Sequence, residues 1–234
     1  MMQQFKSHAN SDQELRKAKA NKILKIIHKF GVKKDSKLLE IGTGSGIITN
    51  ELSKYFKINS VDVIDERVIK SGFKFKKIED TNLPFKDNSF DLIISNQVIE
   101  HVNDYNNHLK EIYRCLKSDG LCYLATPNKW AIFEAHYMLP LLSWLPKSLA
   151  DTYLIIFKKR KYDVYPLGYS KLIKCCKLNK FKIKHLSLDV LRNPKKFGLE
   201  NKYSAYSKII RLLPRYSDNI LKRILPSWIF ILKK

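Results

Sequence analysis

Three glycines stand at every second position of one short stretch, Gly42, Gly44 and Gly46, directly after an apolar run that ends in Glu40 and Ile41. A buried strand, a glycine turn and a helix, in that order, form the first unit of a doubly wound nucleotide-binding fold. Glycine suits such a turn because a Cβ would block both the approach of a ligand and the positive φ angles. We therefore expect a ligand to lie against this turn.

The spacing of the turn and the charge beside it indicate the kind of ligand. A dinucleotide fingerprint reads G-x-G-x-x-G, whereas the third glycine here, Gly46, arrives one residue early. Glu40 places a carboxylate at the end of the strand, where it would repel a pyrophosphate and attract an ammonium or sulfonium cation. The stretch therefore argues against an NAD-dependent oxidoreductase and for a ligand that carries positive charge. A glycine-rich turn that binds no ligand is the alternative.

Acidic residues follow the next two predicted strands, at 58–64 and 75–78. Asp62 stands 16 residues beyond Gly46, where a carboxylate can accept hydrogen bonds from both hydroxyls of a ribose. Asp65 and Glu66 compete for this role, although they fit the cap and first turn of a following helix better. Asp80 falls where a carboxylate could accept the exocyclic amine of adenine, and a loop or cap role is its alternative.

A fourth strand over 91–95 leads into the segment 96–102 and completes a family pattern. The segments 38–46, 60–67, 79–91 and 91–102 match in order and spacing, and 116–121 is similar to a turn that precedes strand five. Over residues 36–128 the chain resembles the class I S-adenosylmethionine (SAM) dependent methyltransferases of the ubiquinone-biosynthesis-like, type 11/12 group. The resemblance implies an α/β fold with a doubly wound, Rossmann-like seven-stranded sheet, mostly parallel with an antiparallel last strand. It also implies SAM as the cofactor and S-adenosylhomocysteine as its product.

The same resemblance implies which residues hold the cofactor. The positions that match the family's motifs are Glu40, Gly42, Thr43, Gly44, Gly46, Asp62, Val63, Asp80, Thr81, Ser95, Asn96 and Gln97. Methyl transfer to a hydroxyl needs a general base, and histidine is poised for this near neutral pH. His101, just beyond strand four, and His136 are the two catalytic candidates, and each could instead be a structural or surface histidine. No metal site is predicted.

About 40 residues, 127–168, intervene between strand five and the next predicted helix. They are rich in aromatic residues and begin beside the carboxyl end of strand five, so we expect a helical lid that binds the substrate. The stretch that contains Glu134, Ala135 and His136 is similar to a sub-family in which E-P-H stands there, with Ala135 in place of the proline. Peripheral membrane contact through 131–157, a dimer interface and a plain packing subdomain remain open.

Length and charge bound the rest. The 234 residues are expected to form one domain, with an N-terminal helical cover over 1–35 that includes a helix from Ser11 to Phe30 lying over one edge of the sheet. The net charge is +22, and residues 129–234 hold 23 Lys and Arg against six Asp and Glu. This basic half favours an anionic partner, which is a phosphorylated substrate, an anionic membrane surface or nucleic acid, although a lysine-rich compositional habit explains it equally well.

The predicted function is methyl transfer to a small-molecule, sugar or lipid-linked acceptor, with oxygen as the favoured atom. An RNA-binding or RNA-modifying methyltransferase is the alternative, and it is less favoured because the aromatics cluster in an apolar segment rather than alternating with basic residues. The start of the chain lacks the apolar core of a signal peptide, no run is long enough to span a membrane, and the four cysteines are expected to be reduced. We therefore expect a cytoplasmic location, with membrane contact at its inner face.

Overall fold

The computed structural model describes residues 2–199 and 204–234, and the side chains of residues 13–199 and 207–234. One seven-stranded sheet, with the strand order β3-β2-β1-β4-β5-β7-β6, organises the chain. The strands are β1 (Lys37–Ile41), β2 (Lys57–Asp62), β3 (Lys74–Lys77), β4 (Phe90–Asn96), β5 (Leu116–Pro127), β6 (Lys182–His185) and β7 (Ser227–Lys233). This is the Rossmann-like seven-stranded sheet that the sequence predicts.

The first five strands run parallel, and β7 lies antiparallel between β5 and β6, as predicted for the last strand. Ile41 of β1 is in register with Ser95 of β4, and Asn96 is in register with Ala125 of β5. The carboxyl ends of β1, β4 and β5 therefore meet at one edge of the sheet. In open α/β sheets this edge is where ligands bind, above all where the strand order reverses.

Helices cover both faces of the sheet. They are α1 (Met2–Lys29), α2 (Ile47–Ser53), α3 (Tyr105–Cys115), α4 (Lys147–Lys158), α5 (Tyr169–Leu178), α6 (Ser187–Arg192), α7 (Ser204–Leu212) and α8 (Asp218–Ile224). Because successive strand residues point to opposite faces, Leu39 packs into the core that includes α3 and α5, and Leu38 packs into the core that includes α1 and α2. Among the described residues, no helix is long and apolar enough to cross a bilayer.

The structure corrects three local predictions. Helix α1 begins before Ser11, and its buried Ile23, Ile26 and Ile27 pack on a face of the sheet rather than over an edge. Residues 63–73 form no helix, and Asp65 is the bidentate partner of Arg67 rather than a helix cap. The predicted turn at 116–120 belongs to β5, which begins one residue after α3 ends.

The segment between β5 and α5 forms a small subdomain. It contains a 3-10 helix, Leu142–Trp144, and the helix α4. A separate core holds these two elements to the strand-like stretch that returns to α5, and its buried members are Leu142, Ala150, Leu154, Tyr162 and Val164. The insertion is therefore a packed structure of its own beside the carboxyl edge of the sheet.

Candidate active site

The glycine turn after β1 is shaped by three left-handed residues, with φ of 82° at Gly42, 49° at Gly44 and 77° at Gly46. A Cβ at Gly42 would collide with the side chain of Val98, and one at Gly46 would collide with the carbonyl oxygen of Ile69. The middle glycine differs, because a Cβ there would meet only a guanidinium nitrogen of Arg16, at 3.9 Å. The protein's own packing thus needs the outer glycines, and the space over Gly44 is left for something else.

Asp62, the last residue of β2, ties the glycine turn to the sheet. One carboxylate oxygen accepts the backbone N–H of Gly44 at 2.8 Å, and the other accepts that of Val63 at 2.8 Å. The hydroxyl of Thr43 donates to the carbonyl of Val61 at 3.2 Å. A carboxylate has about four lone-pair positions, so Asp62 keeps acceptor capacity for a ligand that enters over Gly44.

Glu40 lies beneath this turn and is 2% exposed. Burial raises the pKa of its carboxyl from 4.5 to about 8. Its Oε2 atom has no hydrogen-bond partner among the residues that the structure describes. A buried acceptor of this kind is costly unless a donor satisfies it, and a ligand cation near the glycine turn would favour its ionised form.

The other predicted cofactor residues differ in what they already contact. Both carboxylate oxygens of Asp80 accept hydrogen bonds from Asn82, which is the loop role considered as its alternative. Thr81 accepts a bond from Asn107. The hydroxyl of Ser95 is buried against the imidazole of His108, at 3.0 Å, so it faces the core below α3 rather than the open edge of the sheet.

Two residues at the end of β4 lead into Val98, which meets the glycine turn. Asn96 is the last strand residue, and Gln97 adopts a left-handed conformation, with φ of 60°, while its N–H donates to the carbonyl of Ala125. Non-glycine residues in this region carry backbone strain, and such strain concentrates at ligand sites. The following residue, Val98, is the one that packs over Gly42. The turn after β4 therefore packs directly against the turn after β1.

A second polar cluster lies beyond β4 and β5, and His136 is at its centre. His136 Nδ1 is 3.0 Å from Oε1 of Glu134, and the other oxygen of Glu134 accepts the backbone N–H groups of His136 and Tyr137. Burial opposes ionisation of Glu134, but these bonds outweigh it and lower the pKa of its carboxyl. The bond from Glu134 raises the pKa of His136 in turn. A carboxylate therefore orients the imidazole and leaves its Nε2 available.

The segment after β4 supplies the rest of this cluster. Glu100, in the 3-10 helix Ile99–His101, places Oε1 at 3.9 Å from Nε2 of His136, and Thr126 of β5 donates to its Oε2 at 3.0 Å. Burial raises the pKa of Glu100 to about 7, and Oε1 has no hydrogen-bond partner in the described part of the chain. An unpaired acceptor and an imidazole nitrogen thus face one gap.

His101 stands edge-on to His136, with ring centroids 5.1 Å apart. Burial, followed by the charge of His136, lowers the pKa of His101. The two candidate histidines, 35 positions apart in the sequence, are therefore neighbours in one cluster. The pKa of His101 is lowered and the pKa of His136 is raised. Ligand atoms of Glu100, His101 and His136 lie within 4.8 Å of one another, close enough to hold a divalent cation.

Three residues of these sites were not predicted from the sequence. Glu134 precedes His136 by two positions, a spacing that signals a possible carboxylate–imidazole pair, but only the fold of the loop brings the two groups together. Glu100 adjoins His101, and nothing local indicates that its carboxyl is buried. Arg16 comes from α1, which has no sequence signal for the glycine turn. All three depend on tertiary packing.

Comparison with known proteins gives the family context. Residues 39–124 match the family model described as a methyltransferase domain. The chain is 38% identical over 111 residues to an uncharacterized protein of Methanocaldococcus jannaschii, covering 47% of this chain and 48% of that protein. It is 29% identical over 133 residues to the ubiquinone biosynthesis O-methyltransferase of Pelagibacter ubique, covering 50% of this chain and 54% of that protein. The chain thus spans about half the length of these curated relatives.

The fold comparison extends further than the sequence match. A solved structure of phosphoethanolamine N-methyltransferase 2 from Haemonchus contortus, in complex with S-adenosyl-L-methionine, superposes with a TM-score of 0.55 at 17% identity. The alignment covers 90% of this chain and 51% of that chain. At this identity the likeness shows the fold. It includes the second half of the chain, which the family model does not reach.

Proposed function

We propose that this chain, which belongs to the class I SAM-dependent methyltransferases through its methyltransferase domain, transfers the methyl group of SAM to a hydroxyl of a small-molecule or lipid-linked acceptor. The observation that carries the proposal is the arrangement at one edge of the sheet. A glycine turn with an unsatisfied buried carboxylate follows β1, and a carboxylate-oriented imidazole lies beyond β4 and β5.

The residues around the glycine turn fit the cofactor. Its ribose hydroxyls would be held by Asp62, which keeps unused lone pairs, and its ammonium group would satisfy Glu40. The open space over Gly44 admits the cofactor against the backbone, and the Arg16 guanidinium beside that space suits the carboxylate end of the methionine portion. When bound, SAM supplies a methyl group that is made electrophilic by its positive sulfur.

The second cluster fits the task of removing a proton from the acceptor. With Nδ1–H donating to Glu134, His136 Nε2 is a neutral acceptor that can bond the acceptor's hydroxyl and take its proton. The unpaired Oε1 of Glu100 lies across the same gap and would help to fix the hydroxyl. His101, whose pKa is lowered, stays uncharged beside it and does not compete for the proton near neutral pH.

Oxygen is the acceptor atom that this chemistry favours. A hydroxyl loses its proton with difficulty, so a positioned base accelerates its methylation by about 100- to 10,000-fold. The partial similarity to a ubiquinone biosynthesis O-methyltransferase supports the same choice. The acceptor's hydroxyl would lose its proton to His136 and gain the methyl group, which makes it a methyl ether. The cofactor's sulfonium would lose the methyl group and become the thioether of S-adenosylhomocysteine.

Two measurements on the whole chain test the proposal. Calorimetry with SAM, S-adenosylhomocysteine and NAD should show binding of the two sulfur nucleotides and no binding of NAD. A chain that binds neither sulfur nucleotide would contradict the proposal. Methyl-labelled SAM is then offered with an alkyl catechol or with phosphoethanolamine. We expect label in the catechol ether, and label in phosphoethanolamine alone would contradict the choice of oxygen.

The catechol reaction should also be run with and without EDTA. If His136 acts as a base, the chelator leaves the rate unchanged. A rate that falls with EDTA and returns with a divalent cation would instead assign the cluster of Glu100, His101 and His136 to cation binding, and would contradict the role given to His136.

A further inference from the structure

The insertion between β5 and α5 exposes an unusual amount of apolar surface. Of the 23 large hydrophobic side chains that are exposed in the described structure, ten lie within residues 130–157. They are Trp130, Ile132, Phe133, Met138, Leu141, Trp144, Leu149, Ile155, Ile156 and Phe157. Monomeric proteins seldom expose clustered apolar surface on this scale unless it contacts a partner or a membrane.

The first part of this surface is a loop with two different faces. The backbone N–H of Glu134 donates to Leu139 at 2.9 Å, and that of Leu141 donates to Ile132 at 2.6 Å, so the loop is held like a hairpin. The Glu134 carboxylate faces inward to His136, while Phe133 is 55% exposed. The loop of residues 132–141 thus presents Glu134 and His136 on one face and apolar side chains on the other.

The second part is α4, which carries apolar side chains on an exposed face as well as on its buried face. Its Ala150 and Leu154 are buried in the small core of the insertion. Leu149, Ile156 and Phe157, at positions i, i+7 and i+8, share another face and are 56–69% exposed. A helix that is apolar on its solvent side as well as on its core side has an unfilled contact.

The charge around this surface identifies what fills it. Lys129 precedes the loop, and Lys158, Lys159, Arg160 and Lys161 directly follow Phe157. Of the two acidic residues within 129–161, Glu134 is buried and Asp151 is paired with Lys147 at 2.7 Å, so neither places a free negative charge on this surface. Tryptophan, phenylalanine and leucine beside a row of long cations is the composition of segments that lie in a membrane interface.

We propose that residues 129–161, here called the docking face, bind the surface of an anionic lipid bilayer. The apolar side chains of the loop and of α4 enter the headgroup boundary, and the basic residues after Phe157 contact the lipid phosphates. A second copy of the chain fits less well, because each copy carries a net charge of +22.

Docking places the catalytic loop at the bilayer surface. Because His136 and the exposed Phe133 belong to one loop, docking would hold the gap beside Nε2 one loop's thickness from the lipid headgroups. The acceptor would then be a hydroxyl compound presented from the membrane. This last consequence rests on the proposed methyl transfer, whereas docking itself does not.

Flotation of the full chain with vesicles tests the docking face directly. Vesicles of phosphatidylcholine alone are compared with vesicles that also contain phosphatidylglycerol, at low and at physiological salt. We expect binding to the anionic vesicles and little to the neutral ones. The double variant Phe133→Ser, Met138→Ser should weaken partition by about tenfold or more, because two large apolar side chains no longer enter the bilayer.

Charge reversal and matched controls complete the experiment. Lys158→Glu, Lys159→Glu should lower binding to anionic vesicles about tenfold and reduce its salt dependence. The controls change residues of similar exposure elsewhere, Tyr55→Ser with Leu178→Ser and Lys33→Glu with Lys34→Glu, and should bind like the parent chain. Binding of S-adenosylhomocysteine by calorimetry verifies that each variant is folded.

Several results would overturn the proposal. One is a parent chain that does not float with anionic vesicles, and another is a pair of docking-face variants that float as well as the controls. Sedimentation that shows a dimer lost in Phe133→Ser, Met138→Ser would assign the face to self-association. Binding of an RNA pool that is lost in Lys158→Glu, Lys159→Glu, without vesicle binding, would assign it to nucleic acid. Because none of these readouts needs turnover, they stand apart from the test of methyl transfer.

Discussion

The site has a cofactor half, around the glycine turn, and an acceptor half, around His136, and the molecule builds the two in different ways. In residues 37–127 the site follows from backbone geometry, because strand ends and left-handed glycines place Asp62 against Gly44. The part around His136 follows from side chains that meet across loops, because His136 and Glu134 of residues 128–168 meet Glu100 from the segment after β4. A cofactor that many enzymes share can be bound by a backbone turn that recurs among them. An acceptor that only one enzyme uses must be recognised by side chains particular to that enzyme.

A substitution of His136 is the strongest test of whether the two halves of the site act separately. Replacing it with Asn should lower the rate of methyl transfer to the catechol probe by about 100- to 10,000-fold, because the proton acceptor is lost. Affinity for S-adenosylhomocysteine should stay unchanged, because the residue belongs to the acceptor half. Labelled methyl transfer and calorimetry on the same preparation measure the two effects.

The matched control for this change is His28→Asn, on the exposed side of α1. It should leave both the rate and the affinity as they are. If His136→Asn instead weakened cofactor binding as strongly as it slowed transfer, the two halves would not be separable in the way that their geometry suggests.

Asp62 tests the opposite half. Asp62→Ala should weaken binding of S-adenosylhomocysteine about 100-fold or more, because two hydrogen bonds to a charged group, at about 1.5–3 kcal/mol each, are lost. The N–H of Gly44 also loses its partner. Calorimetry measures the affinity, and Asp65→Ala, whose carboxylate bonds Arg67 nearby, serves as the control that should bind normally. An Asp62→Ala variant with parent-like affinity would remove Asp62 from the cofactor site.

The same contrast explains what could be predicted from the sequence. The single strands and the place of Asp62 follow from strand patterns and glycine spacing, which are local signals. The seven-stranded sheet with its antiparallel last strand is what the family resemblance implies. The sequence identified His136 as a candidate but did not identify Glu134 or Glu100 as its neighbours, because their meeting depends on how the insertion packs. Ser95 shows the converse, since strand alternation turns its hydroxyl toward His108 and away from the open edge.

Glu40 offers a smaller effect on stability. Below pH 4.5 its carboxyl is protonated in both states, and as the pH rises toward 8 the unfolded chain ionises while the folded chain keeps the proton. The parent chain without cofactor therefore loses stability over this window, and Glu40→Gln should not. We expect the variant to gain about 4 kcal/mol in free energy of unfolding at pH 8 and almost nothing at pH 4.

Urea unfolding at several pH values measures this difference. Glu51→Gln, on α2, is the control, and it should show no such pH-dependent gain. Saturating S-adenosylhomocysteine should narrow the difference, because its ammonium group stabilises the ionised Glu40 in the parent chain alone. A gain that is equal at all pH values would show that the carboxyl is not held protonated by burial.

The smallest expected effect separates the two histidines of the acceptor half. NMR titration should place the pKa of His136 above 6.5 and that of His101 below it. Glu134→Gln removes the carboxylate that favours the imidazolium, so the pKa of His136 should fall toward its ordinary value. The rising limb of the transfer rate should move to lower pH with it, since the neutral imidazole is the base. If the limb stayed in place while the pKa of His136 moved, a different group would be removing the proton.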